Sequence, residues 1–237
     1  KLKFLSFPAA FDDTDEFHHR ALQTIYRRLT GTKLDAPRYG THWESIGFQK
    51  LDEACPSRHL FDTRFEKIGP IQNSLSSSPA PQPHNNKVLI TVRAWTLLGT
   101  DPATDFRGVG ILSLLHVLYV MSIPPLSRSL LMEFYALSMT EEQEFPFMVL
   151  SINVTRIALM ALKEGRLDCI GTRSGSLVGT VNRFYSGVLY YTFHLWRTQK
   201  KTIMDSGYVL QDAETRCKQH PRQTLRQLDA HLRRILS

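Results

Sequence analysis

The sequence predicts an all-α fold: one multi-helix domain interrupted by a disordered insertion. Three observations predict it. Apolar residues recur at helical spacing through most of the 237 residues. Capping residues, prolines and glycines stand at the ends of those runs. A single stretch, residues 50–98, departs from the pattern.

The first helix carries Phe17, Ala21, Leu22, Ile25, Tyr26 and Leu29 on one face. Thr14 or Asp13 can accept its first free amide hydrogens, and Gly31 ends it. Gly110–Ser122 is apolar nearly all round, the mark of a buried helix. Pro124 and Pro125 stop it, because proline lacks an amide hydrogen and disfavours helix in the residue before it. Ser127–Met139 follows, then Pro146–Lys163, closed by Gly165. Leu177–Lys200 is long and aromatic-rich, and a shorter helix runs from Gly207 to about Lys218. The last begins at Pro221, a good first-turn residue, with Leu225, Leu228, Leu232 and Ile235 along one side.

Within residues 50–98, Ser74–Asn86 is rich in Ser, Pro, Gln and Asn and has no apolar period, which reads as linker. Val88–Leu98 is β-branched and has strand character. A lone strand has nothing to pair with in a helical domain, and a structureless loop of this length inside a domain is uncommon. Residues 1–13 read as an N-terminal extension and 14–237 as the domain. A first residue that is Lys1 rather than methionine is expected of a fragment.

Composition narrows the function. With 42% hydrophobic and 22% charged residues the chain is ordinary for a globular protein. The formal charge of +7 is concentrated at the end, where Arg197–Ser237 carries nine basic against four acidic residues. Such an end is either a solvated helix face or a surface for an acidic protein, anionic lipid or nucleic acid. Cys55, Cys169 and Cys217 are far apart and odd in number, which fits a reducing compartment. No apolar run reaches the length of a membrane span. The sequence contains no nucleotide-binding, zinc-protease or nucleophile-elbow motif, so nucleotide binding or hydrolysis by the chain itself is not expected. Trp196–Lys201 mixes aromatic and basic residues but matches no RNA module, and no nucleic-acid partner is expected. His18 and His19 are adjacent on a helix and point different ways, which reads as solvated histidines.

The informative stretches are HWESIGFQ (His42–Gln49) and TDPATDFRGVGILSLL (Thr100–Leu115). Pro102 stiffens the approach to a helix start, and Thr104 and Asp105 are capping residues. Gly108 and Gly110 let backbone come close to a neighbour or a partner. Arg107 therefore stands at a glycine-flanked bend before a buried helix. Such a bend can hold a guanidinium at a fixed position, or the arginine can simply pair with Asp101 or Asp105. Trp43 and Phe48 read as core aromatics rather than partner-facing ones.

Trp43, Gly47, Phe48, Gln49, Pro102, Thr104, Asp105, Arg107, Gly108, Gly110 and Leu114 match in order the pattern of the ELMO domain-containing proteins, which this chain resembles. QTIYRRLTG (Gln23–Gly31), FPF (Phe145–Phe147) and WRTQKKTIMDSGYVL (Trp196–Leu210) extend the resemblance over most of the chain. Val117 stands where the pattern ends in leucine. The main departure is spacing: the family has three residues between Gln49 and Pro102, and this chain has fifty-two, Lys50 to Asp101. Removing Lys50–Leu98 restores three, which points to a retained intron or gene-model error, or else to a true insertion.

The resemblance implies an ELMO-type helical domain that activates GTP hydrolysis by Arf-family small GTPases, Arf-like members included. It implies that Arg107 is the essential arginine. The chain would need no cofactor, since GTP and Mg²⁺ belong to the partner GTPase. The expected setting is cytoplasmic, with peripheral contact to anionic membrane through the basic C-terminal region, or to the cytoskeleton. The alternative is a non-catalytic helical interaction scaffold for GTPase regulators or the cytoskeleton.

Overall fold

The structure, a computed structural model, describes residues 9–49, 100–106 and 108–236. Among them there is helix and no strand. The linker and strand expected within 50–98 lie outside the described residues.

α1 spans Glu16–Thr30. Its cap is Asp15, whose carboxylate accepts from the Phe17 amide at 2.8 Å, not Thr14 or Asp13. Both alternatives are engaged elsewhere: the Thr14 amide and hydroxyl donate to Asp12, and the Asp13 carboxylate accepts from Arg38. Gly31 closes the helix as expected, donating to the Arg27 carbonyl at 2.9 Å. The chain then turns back, clamped where Gln23 donates to the Ala36 carbonyl at 2.6 Å and accepts from its amide at 2.9 Å.

α2 covers Leu112–Ser122 and α3 covers Pro124–Ser138, with a π-helical stretch at Ser127–Met132. The two prolines do stop α2, but they also open α3 three residues earlier than the pattern predicts. They occupy its first positions, where a missing amide hydrogen costs nothing. The two axes differ by 101°. α4 is Phe147–Lys163 and α5 is Asp168–Ser174, a helix of seven residues, too short to show a period. α6 is Leu177–Thr198, α7 is Ser206–Gln219 and α8 is Pro221–Leu236.

The core is built around α4 and α6. They pack on each other; α5, α7 and α8 pack on α6, while α2 contacts both. α1 lies on the far side of α2. Phe134, Phe145, Phe147, Phe193 and Trp196 form an aromatic cluster between α3, α4 and α6, with the Phe145 and Trp196 rings 4.5 Å apart. Burial of several such side chains, each worth about 1.5–3 kcal/mol, is what holds these elements in place. Asn153, part of an Asn-Val-Thr sequon, is buried on α4 and donates to the Val149 carbonyl. Among the described residues no single helix is long and apolar enough to cross a membrane.

Candidate functional site

The two motif stretches, separated by half a hundred residues in sequence, form one structure at the edge of this core. The first, Thr41–Ile46, is a 3-10 turn that presents Trp43 inward. Trp43 is fully buried, as its reading as a core aromatic requires. Its indole N–H is shared between the carbonyls of Pro37 and Arg38, at 3.2 and 3.1 Å. Tyr26 of α1 packs edge-on against it, and Phe48 lies edge-on to it from the other side. Phe48, also buried, reaches Phe106 of the second stretch, with ring centroids 5.7 Å apart.

Gly47 explains the turn. Its φ of 87° belongs to the left-handed region, and its carbonyl accepts from the Val149 amide at the start of α4. A Cβ there would lie 2.2 Å from the Phe147 amide nitrogen. Only glycine lets the loop run against the end of α4.

In the second stretch it is Asp101, not Thr104 or Asp105, that caps the 3-10 turn Pro102–Asp105, accepting from the Ala103 amide at 2.8 Å; the other two side chains are engaged elsewhere. Pro102 is buried at its first position, and Thr104 donates through its hydroxyl to the Asp101 carbonyl. Asp105 then reaches back: its Oδ2 accepts from the Gln49 amide at 2.8 Å. Two further bonds join the stretches. The Gly40 amide donates to the Thr100 carbonyl at 3.2 Å, and the Thr100 hydroxyl donates to Glu44 at 2.9 Å.

Gly108 and Gly110 both take left-handed backbone, with φ of 70° and 50°. The Gly110 amide donates to the Phe106 carbonyl at 2.7 Å, which folds the chain back before α2 starts. Gly108 is exposed and Gly110 buried, so the bend has one open side. Arg107 lies outside the described residues. The segment before α1 passes over the same bend: the Ile111 amide donates to the Ala9 carbonyl, and the Phe11 ring lies 5.6 Å from that of Phe106.

One residue here escapes sequence reading. Arg38 donates to Asp13 at 2.6 Å and to Asp101 at 2.7 Å, and its guanidinium lies 4.9 Å from the Phe11 ring centroid and 4.6 Å from that of Tyr39. Burial pulls its pKa down, but the Asp13 and Asp101 carboxylates outweigh that and raise it above the ordinary arginine value. Nothing local distinguishes this arginine from its neighbours; only the proximity of Pro37-Arg38-Tyr39-Gly40 to the motif could have drawn attention to it.

His18 also departs from expectation. It is buried, not solvated, because it continues the apolar face of Leu22 and Ile25, and its Nδ1 accepts from the Asp12 amide at 2.9 Å. His19 binds the Asp13 carbonyl at 2.8 Å. Among the described residues no three His, Cys, Asp or Glu side chains are grouped for a metal ion.

The model of the ELMO/CED-12 family matches residues 8–56 and 75–210. ELMO domain-containing protein 3 of Bos taurus is 37% identical over 223 residues, 93% of this chain and 45% of that protein. Its Homo sapiens counterpart is 34% identical over 224 residues, 94% of this chain and 46% of that protein. ELMO domain-containing protein B of Dictyostelium discoideum is 27% identical over 123 residues, 52% of this chain and 42% of that protein. The chain spans about half the length of the mammalian relatives it matches. No solved structure matches it.

Proposed function

We propose that this chain, which belongs to the ELMO/CED-12 family, accelerates GTP hydrolysis by Arf-family small GTPases, Arf-like members included, by presenting Arg107 to the partner's nucleotide. The observation that carries the reading is the union of the two motif stretches. Gln49, Glu44 and Gly40 hold Thr100–Asp105 in one place, and two left-handed glycines, Gly108 and Gly110, follow Arg107 in the sequence.

The chemistry follows from phosphoryl transfer. Hydrolysis develops negative charge around the β- and γ-phosphates, and positioning with electrostatics supplies nearly all of the catalysis. A guanidinium delivered from outside can neutralise that charge through two parallel hydrogen bonds. Fingers of this kind give about 10³–10⁵-fold in rate. The GTPase brings GTP, Mg²⁺ and the residue that orients water; this chain contributes a cation on a preorganised bend.

Exposed Arg222, Arg226 and Arg233 on α8 support a second element of the reading, contact with anionic membrane near the GTPase. Flotation with acidic liposomes tests it, and absence of binding removes it.

The decisive test is single-turnover GTP hydrolysis by a panel of Arf and Arf-like GTPases with the chain and with Arg107→Lys. Acceleration that disappears with lysine, which keeps the charge but loses the planar fork, is the expected result. A folded chain that accelerates no GTPase in the panel is instead a non-catalytic helical scaffold.

A further inference from the structure

We propose that Arg38 is the positioning residue of the motif bend: by clasping Asp13 and Asp101 it sets where the turn Pro102–Asp105 begins and, through that turn, where the motif arginine stands. The inference rests on the reading of Arg107 as the group presented to the GTPase.

Arg38 touches every segment that meets at the bend. Its Nε donates to Asp13, just before α1, and its Nη1 donates to Asp101, which caps the turn. Its own carbonyl accepts from Trp43, the anchor of the first motif stretch. Phe11 and Tyr39 both lie within cation–π distance of the guanidinium, and Phe11 also packs on Phe106, the residue that closes the turn. One planar group thus joins the pre-helix segment, the loop after α1 and the motif turn.

The burial of the pair matters more than its strength. The side chains of Arg38 and Asp101 are only 14% and 8% exposed. A buried ion pair is weak as a source of stability, because desolvation offsets most of the attraction; what it does well is admit one geometry. Arg38 Nη2 is moreover buried and makes no hydrogen bond, a cost that an arrangement chosen for stability alone would avoid. A guanidinium acting on a partner's phosphates needs such a fixed base, since a misplacement of about 1 Å costs about 10²-fold in rate.

The test compares wild type, Arg38→Ala, Arg38→Lys and the milder Asp13→Ala, whose target carboxylate is half exposed. Two quantities are read: GTP hydrolysis at saturating chain, and hydrogen–deuterium exchange of the amides at 100–112. With Arg38→Ala the saturating rate is expected to fall about 10²-fold, while the half-saturating concentration stays within roughly twofold. The Ala103, Phe106 and Gly110 amides exchange faster, and those of α4 and α6 do not change. Lysine, with one point charge for two carboxylates, restores only part of the rate, and Asp13→Ala shows a smaller shift in the same direction. Combined with Arg107→Ala, Arg38→Ala has no further effect on hydrolysis.

A saturating rate that is unchanged, or exchange that rises throughout the domain, overturns the proposal. If wild type accelerates no GTPase, the proposed activity falls and exchange alone decides. Loosening confined to 100–112 then upholds the clasp, and unchanged exchange at 100–112 overturns it.

Discussion

The backbone amide of Gln49 and the carboxylate of Asp105, 56 positions apart, are joined by a hydrogen bond of 2.8 Å. It makes one object of two sequence stretches and ties down the last residue of the turn that Asp101 caps. Asp105→Ala is expected to cost about 1–3 kcal/mol, the penalty for stranding a partly buried donor, read as a shift in urea midpoint. Asp105→Asn, which keeps an acceptor oxygen, should lose less. Both should slow GTPase activation if the turn positions Arg107.

Gly47→Ala is the most severe single-methyl change expected here. The left-handed backbone disfavours any side chain, and the added carbon meets main-chain atoms of Pro146 and Phe147 that cannot step aside. A loss of about 3 kcal/mol or more follows from the two effects together. Thermal unfolding followed by circular dichroism checks it. Gly175, also left-handed but with nothing near its missing Cβ, provides the control: Gly175→Ala should lose only the backbone part.

Removal of Lys50–Leu98 should leave the helical domain folded. Among the described residues, the bonds that join the motif stretches run between residues on either side of the excised segment. Shortening the connection from fifty-two residues to three reduces the entropy of closing it. The shortened chain should therefore be more stable by about 2–3 kcal/mol, seen as a higher melting temperature with the same ellipticity per helical residue. An unfolded product would show that the segment belongs to the core.

His116 makes stability depend on pH. Its ring is stacked on Tyr185 at 4.4 Å and bonded to Thr155 at 3.1 Å, and burial drives its pKa down to about 3. In the unfolded chain the same histidine takes up a proton near its ordinary value of about 6.5. Between those values the unfolded state binds more protons than the folded one, so stability is full above about 6.5 and falls as the pH drops toward about 3. The slope from this group is at most about 1.4 kcal/mol per pH unit. His116→Gln should remove that slope while keeping a hydrogen-bonding group, as measured by chemical denaturation at a series of pH values.

Most of the helices were legible in the sequence because each has an apolar face and a recognisable end. Leu22, Ile25 and Leu29 declare α1, and Pro221 opens α8 as read. Local rules failed where distant groups intervene. Asp13 is a fair cap until Arg38 takes its carboxylate, and His18 passes for a surface residue until the interior claims it. α5 was missed because seven residues with a single large apolar side chain facing inward hold no period. At the site the motif positions were legible as a pattern, and Trp43 and Phe48 as core. That Arg38 serves Asp101 was not, since a contact between residues 63 apart leaves no local trace.

The place where the two motif stretches meet also governs how this family member can vary in length. A residue added inside α4 would turn everything beyond it by about 100° and drag a buried face into water. A residue added between Gln49 and Thr100 enters between two positions that are already tied together by bonds on either side, and the entropy of closing such a connection grows only with the logarithm of its length. The junction is therefore expected to serve as a graft point: an engineered reporter entering there should leave the bonds between the two stretches, and the register of the surrounding helices, as they are.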